Sequence, residues 1–157
     1  MTAIAVHPIN PSSISAPAVA SSSTPHTAAD YAIALLRIAL GVMFLSHGLL
    51  KVLVFTLPGT AQFFASVGFP GFFAYLVAPA EILAGIALIA GFKTRLVAAL
   101  TLPILLGAAA VHFGNGWVFS APNGGWEYPV YLIVLAVAQS LLGNGAFAID
   151  GKRSAAV

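Results

Sequence analysis

Between Tyr31 and Leu142 the chain carries four long apolar segments, parted by short runs rich in glycine, proline and polar residues. They run from about Tyr31 to Phe55, Phe72 to Ala90, Leu96 to Phe113 and Tyr128 to Leu142, the last reaching back to near Trp126. A helix needs roughly 17 to 25 residues to cross the hydrocarbon core of a bilayer. Lipid offers a backbone no hydrogen bonds, so a spanning segment must satisfy its own N–H and C=O groups. None of the segments alternates apolar and polar residues as a barrel strand does. The expected fold class is therefore all-α: a polytopic, four-helix transmembrane bundle.

Charge supports this expectation. Only 6% of the residues are charged, whereas 60% are apolar. Soluble domains carry about 25% charged residues, so this chain lacks the polar material to cover a water-facing surface. Its formal charge of +2 is spread thinly and forms no basic cluster. Nucleic acid is excluded as a partner, because nothing is present to neutralise phosphates. The absence of cysteine excludes disulfides and thiolate metal sites in this chain.

Residues 1–30 form a different material, rich in serine, proline, alanine and threonine and without lysine or arginine. The segment lacks the basic start and apolar core of a signal peptide. It offers too little apolar surface to offset its ordering entropy, so a disordered tail is expected. The membrane domain follows over 31–150, and 151–157 make a short cytoplasmic tail. Within the domain, Ala61 to Ala65 form a candidate interfacial helix, and Gly114 to Gly125 a polar loop between Trp117 and Trp126. Tryptophan favours the headgroup level.

Lys93 and Arg95 follow the second segment, and Lys152 and Arg153 follow the fourth. By the positive-inside rule these regions, and with them both termini, lie in the cytoplasm. The expected location is a prokaryotic plasma membrane.

The informative residues are those that apolar spans should not contain. Arg37, Lys51 and Glu81 each cost roughly 2.5 to 3.5 kcal/mol at a helix centre, and less near its ends. Such side chains turn inward and find partners. On a helix, positions 37 and 51 differ in direction by only about 40°. His47, Gly41 and Gly48 share that face, so one stripe holds both charges, a histidine and two small residues that let a second helix approach. Glu81, with Gly85 one turn on, is the expected counter-ion of Arg37. His112 ends the third segment and Glu127 begins the fourth, so both fall with His47 and Lys51 toward the outer side.

Plainer roles exist for every one of these residues. Arg37 with Glu81 serves equally as a structural ion pair. Lys51 can snorkel to the headgroups, His112 and Trp117 can anchor an interface, and Glu127 can act on a helix dipole. A haem held between His47 and His112 is a weaker alternative, and no metal site is expected. His7 and His26 lie in the tail and need no role.

In order along the chain, several elements resemble the DoxX family of small prokaryotic membrane proteins. They are Arg37 with His47-Gly48-Leu49-Leu50-Lys51, Phe64 to Pro70, Pro79-Ala80-Glu81 with Gly85, His112 with Gly116-Trp117, Asn123 to Pro129, and Gly143 to Asp150. The resemblance covers about Tyr31 to Asp150. It implies a four-helix membrane domain tied to respiratory, sulfur or oxidative-stress redox chemistry. One relative is a subunit of a thiosulfate:quinone oxidoreductase, and others belong to membrane complexes.

Two functions follow. In the first, the chain is a quinone-linked oxidoreductase subunit in a redox complex, with a protein partner and membrane lipids around it. A quinone needs an apolar slot with a few polar groups at its oxygens. Arg37, His47, Lys51, His112 and Trp117 are the candidate binding residues, and Glu81 and Glu127 the candidate catalytic proton carriers. In the second, the chain is a non-catalytic scaffold or assembly subunit whose buried charges are structural. A small transporter is a weaker third reading, because no internal repeat is evident.

Overall fold

A computed structural model describes residues 25–150. The expected disorder of the N-terminal tail therefore falls largely outside the described residues, as does the short tail over 151–157. Among the described residues there are five α-helices: α1 (Ala28–Leu49), α2 (Leu57–Ser66), α3 (Phe73–Ala90), α4 (Thr94–His112) and α5 (Glu127–Leu142). α1 runs on into a π-helical turn over Leu50–Val54, and α4 into a 3-10 turn over Phe113–Asn115.

The start of α1 lies at Ala28 rather than Tyr31, and its cause is local. Thr27 caps the helix through its hydroxyl, and the Asp30 carboxylate reaches back to the Thr27 N–H at 2.7 Å. This reciprocal capping satisfies donors that a helix start leaves open. The expected interfacial helix is also longer than its sequence core, since Thr56 caps it and Pro58 suits its first turn. Gly91, in the left-handed conformation, stops α3 and turns the chain into α4.

Three helical stretches are long and apolar enough to cross a membrane: Ala28–Val54, Phe73–Ala90 and Thr94–Asn115. α5, the fourth expected span, has 16 residues, about 24 Å of helix against a hydrocarbon core of about 30 Å. Its surface is nonetheless like the others. Leu35, Leu83, Leu100, Val134 and Leu141 are all exposed, while Arg37, Glu81, Thr101 and Gln139 are buried. A polar interior under an apolar exterior inverts the pattern of a water-soluble bundle. The protein is an all-α, multi-span membrane bundle.

α1 and α3 pack closely and antiparallel. A β-carbon on Gly85 would lie 2.7 Å from the Gly41 carbonyl oxygen and 2.5 Å from the Leu45 nitrogen. One on Gly48 would lie 2.9 Å from the Ala78 oxygen. The backbones thus touch where the sequence places its small residues. α4 pairs with α5, and Leu40, Phe44, Leu88, Leu105, Leu132 and Ala136 fill the space between the two pairs.

After α5 the chain folds across the end of the bundle that holds the α1 start and the α3–α4 turn. Ala146 N–H donates to the Asp30 carbonyl at 2.9 Å, Ile149 N–H to the Ala90 carbonyl at 3.1 Å, and the Asp150 carboxylate accepts from the Lys93 N–H. The Gly143 to Asp150 segment is a strap that ties α1, α3 and α4 together. The ring of Phe147 packs with those of His26 and Tyr31.

Candidate functional site

At the opposite end of the bundle Lys51, Glu81, His47 and His112 come together. Lys51 lies in the π-helical turn that ends α1. Its Nζ is 2.7 Å from one Glu81 carboxylate oxygen and 2.9 Å from the other. Both side chains are largely enclosed, at 17% and 6% exposure. A charge taken out of water needs a partner with good geometry, and each supplies the other's. The widened turn redirects the backbone at Lys51, and the Thr60 hydroxyl of α2 bonds the Lys51 carbonyl at 3.2 Å. His47 lies one turn earlier on α1 and lines the same space.

Glu81 therefore does not pair with Arg37. Arg37 is fully buried near the strapped end. Its Nη1 donates to the carbonyls of Leu88 at 2.7 Å and Ile89 at 2.8 Å, and its Nη2 to that of Ala146 at 2.9 Å. Both α3 carbonyls belong to the last turn, where intrahelical donors run out, and that of Leu88 also accepts from the Gly91 N–H at 3.1 Å. A guanidinium fits that task because its fork presents several donors in one plane. Arg37 binds the last turn of α3 to the strap.

Lys51, Glu81 and His47 open on a cavity of about 470 Å³. Its walls are apolar and aromatic: Phe63 and Phe64 from α2, Val67 and Phe69 from the connection, Phe73 and Val77 from α3, and Pro103, Ile104, Leu105 and Val111 from α4. His112 lines it from the end of α4, and Tyr128 from the start of α5. This volume lies in the range of small-molecule sites, which combine apolar walls with a few convergent polar groups.

His112 is held by an unusual loop. Asn123 and Gly124 both take positive φ, at 65° and 77°. This conformation favours glycine and asparagine. Their two carbonyls accept from His112 Nδ1 at 3.1 Å each, and from Asn115 Nδ2 at 3.1 and 2.9 Å. Gly125 follows because a β-carbon there would collide with the Trp117 and Val118 carbonyls. The Asn-Gly-Gly run thus aims backbone acceptors at one histidine.

Of the residues singled out from the sequence, His47, Lys51, Glu81 and His112 line one cavity. Arg37, Trp117 and Glu127 are elsewhere. Glu127 accepts from the Phe119 N–H at 2.9 Å and holds the loop. Trp117 packs edge-on against Trp126, with ring centroids 4.4 Å apart. Tyr128 escaped the sequence reading, as did the phenylalanines of α2. A tyrosine next to Glu127 at a span's start was the available signal. Among the described residues, no cluster of histidine, cysteine and carboxylates could hold a metal ion.

The DoxX family model matches residues 32–114. A Bacillus subtilis (strain 168) protein named "Putative oxidoreductase CatD" is 34% identical over 117 residues, which is 74% of this chain and 82% of that protein. No solved structure matches the chain significantly.

Proposed function

Because this chain belongs to the DoxX family of membrane proteins, we propose that it is a redox-linked membrane subunit whose cavity binds a quinone. One observation carries this reading. A cavity of about 470 Å³ brings a Lys51–Glu81 pair and two histidines to otherwise apolar, aromatic walls. A quinone head needs such walls for its ring and such groups at its oxygens. The remaining Lys51 N–H and the Tyr128 hydroxyl supply donors. Glu81, His47 and His112 supply the proton exchange that accompanies quinone reduction or oxidation. Electrons pass to or from a partner protein of the same membrane complex. The relative's description as an oxidoreductase supports the same chemistry.

In the membrane, α5 is the fourth and shortest crossing of a four-helix bundle. Its ends lie at the two ends of the bundle, beside the α4 terminus and the strap. By the positive-inside rule, Lys93 and Arg95 support a cytoplasmic position for the strapped end and both termini. The cavity faces the outer leaflet of a prokaryotic plasma membrane.

Arg37 favours a structural role for the other end, since three backbone carbonyls take its donors and the cavity does not include it. The scaffold reading thus fits that end and the quinone reading fits the other. Purification in mild detergent, followed by mass spectrometry of extracted lipids, tests the proposal. Near-stoichiometric quinone in the wild type, lost in Lys51→Met, is expected. Equal quinone in both preparations contradicts it.

A further inference from the structure

We infer that the cavity selects the reduced, dihydroxy form of its ligand, a quinol, over the oxidised quinone. The inference rests on the cavity being the quinone site proposed above, and it deepens that reading by naming the redox form.

A neutral imidazole has one nitrogen that donates and one that accepts. The structure leaves no choice between them at either cavity histidine. His47 Nδ1 faces the Met43 carbonyl at 2.9 Å. His112 Nδ1 faces the carbonyls of Asn123 and Gly124, both at 3.1 Å. A carbonyl only accepts, so Nδ1 carries the hydrogen in both rings. Nε2 of each neutral ring then carries a lone pair, with Nδ1 already engaged, on a residue that lines the cavity.

The two rings come from different helices and line one space. Two independent backbone devices, the last turns of α1 and the Asn123–Gly124 turn, fix the same tautomer. The ligand must therefore bring donors. A quinone oxygen offers only lone pairs, and set against Nε2 it leaves both acceptors unpaired. A quinol hydroxyl donates to Nε2 and still accepts from the free Lys51 N–H. Lys51 does not discriminate, because an ammonium donates to either form. Discrimination lies with His47 and His112. A site built for a hydrogen-bonding partner rejects the analogue that lacks it, because its own buried polar groups are then left unmade.

The test uses the full chain in mild detergent under nitrogen, at about pH 8, above the range in which free imidazole takes up a proton. A decyl-substituted benzoquinol and the matching benzoquinone are titrated separately. The quinol is expected to bind about tenfold more tightly or better. His47→Phe and His112→Phe should each reduce that ratio. A ¹⁵N spectrum of histidine-labelled wild type provides a readout that needs no variant, and it should show the Nδ1–H tautomer at both rings. Equal affinity for the two forms overturns the selectivity while leaving a quinone site in place. Binding of neither form overturns the quinone reading itself. An Nε2–H tautomer at both rings overturns the inference. So does a Soret band or stoichiometric metal in the purified protein that depends on the two histidines.

Discussion

Lys51 and Glu81 meet across the α1–α3 contact, with Nζ within 2.9 Å of both carboxylate oxygens. The pair sits where α1 widens into its π-helical turn, on the wall of the cavity. Each charge is enclosed and each depends on the other, so their energies are coupled.

That coupling sets the first prediction. Lys51→Met or Glu81→Leu alone strands one charge and should cost about 3 kcal/mol of stability. The double variant should recover most of the loss, since an apolar pair needs no compensation. Thermal unfolding of the four proteins in one detergent checks this. Additive losses would mean that the two side chains are not partners in the membrane-like state.

Arg37 makes a different prediction. Arg37→Met removes the donors of the Leu88, Ile89 and Ala146 carbonyls, and should cost about 3 kcal/mol. Proteolysis should then cleave the Gly143 to Asp150 strap faster, because Arg37 holds its centre. Ligand affinity in the remaining folded fraction should be unchanged. Wild-type resistance of the strap would contradict the clamp.

The glycine contacts separate close approach from open space. Gly85→Ala places a β-carbon against α1 backbone atoms and should destabilise by about 1 to 3 kcal/mol. Gly107→Ala meets only the tip of Phe69, at 4.0 Å, and should be within about 0.5 kcal/mol of wild type. Detergent melting curves of both variants decide the matter. Equal melting points would deny the tight α1–α3 crossing.

Much of this was legible in the sequence. Four apolar runs marked α1, α3, α4 and α5 within a few residues. The stripe of Arg37, Gly41, His47, Gly48 and Lys51 does face inward or onto the cavity. Direction around a helix follows from its period, whereas depth along a neighbour does not. That is why Arg37 was matched to Glu81. The glycines held the missing register: Gly41 lies against Gly85 and Gly48 against Ala78. In that antiparallel alignment Arg37 falls beside Ile89, about two turns from Glu81, and Lys51 falls beyond Gly48 toward the start of α3. The polar residues of the cavity were legible, but its aromatic wall was not. The cavity needs α2 folded back over the bundle and the Asn123–Gly124 turn closed on His112, and neither is a periodic feature.

The central claim is that the Lys51–Glu81 end of the bundle holds a quinone-type ligand. Equilibrium titration of a decyl-substituted benzoquinol into wild type and the Lys51→Met/Glu81→Leu double variant tests it most directly. The double variant is expected to keep the fold, as the first prediction has it, and to lose the polar pole of the site. Saturable binding to the wild type, weakened about tenfold or more in the double variant, is the predicted result. Identical isotherms for the two proteins, both of them folded, would contradict it.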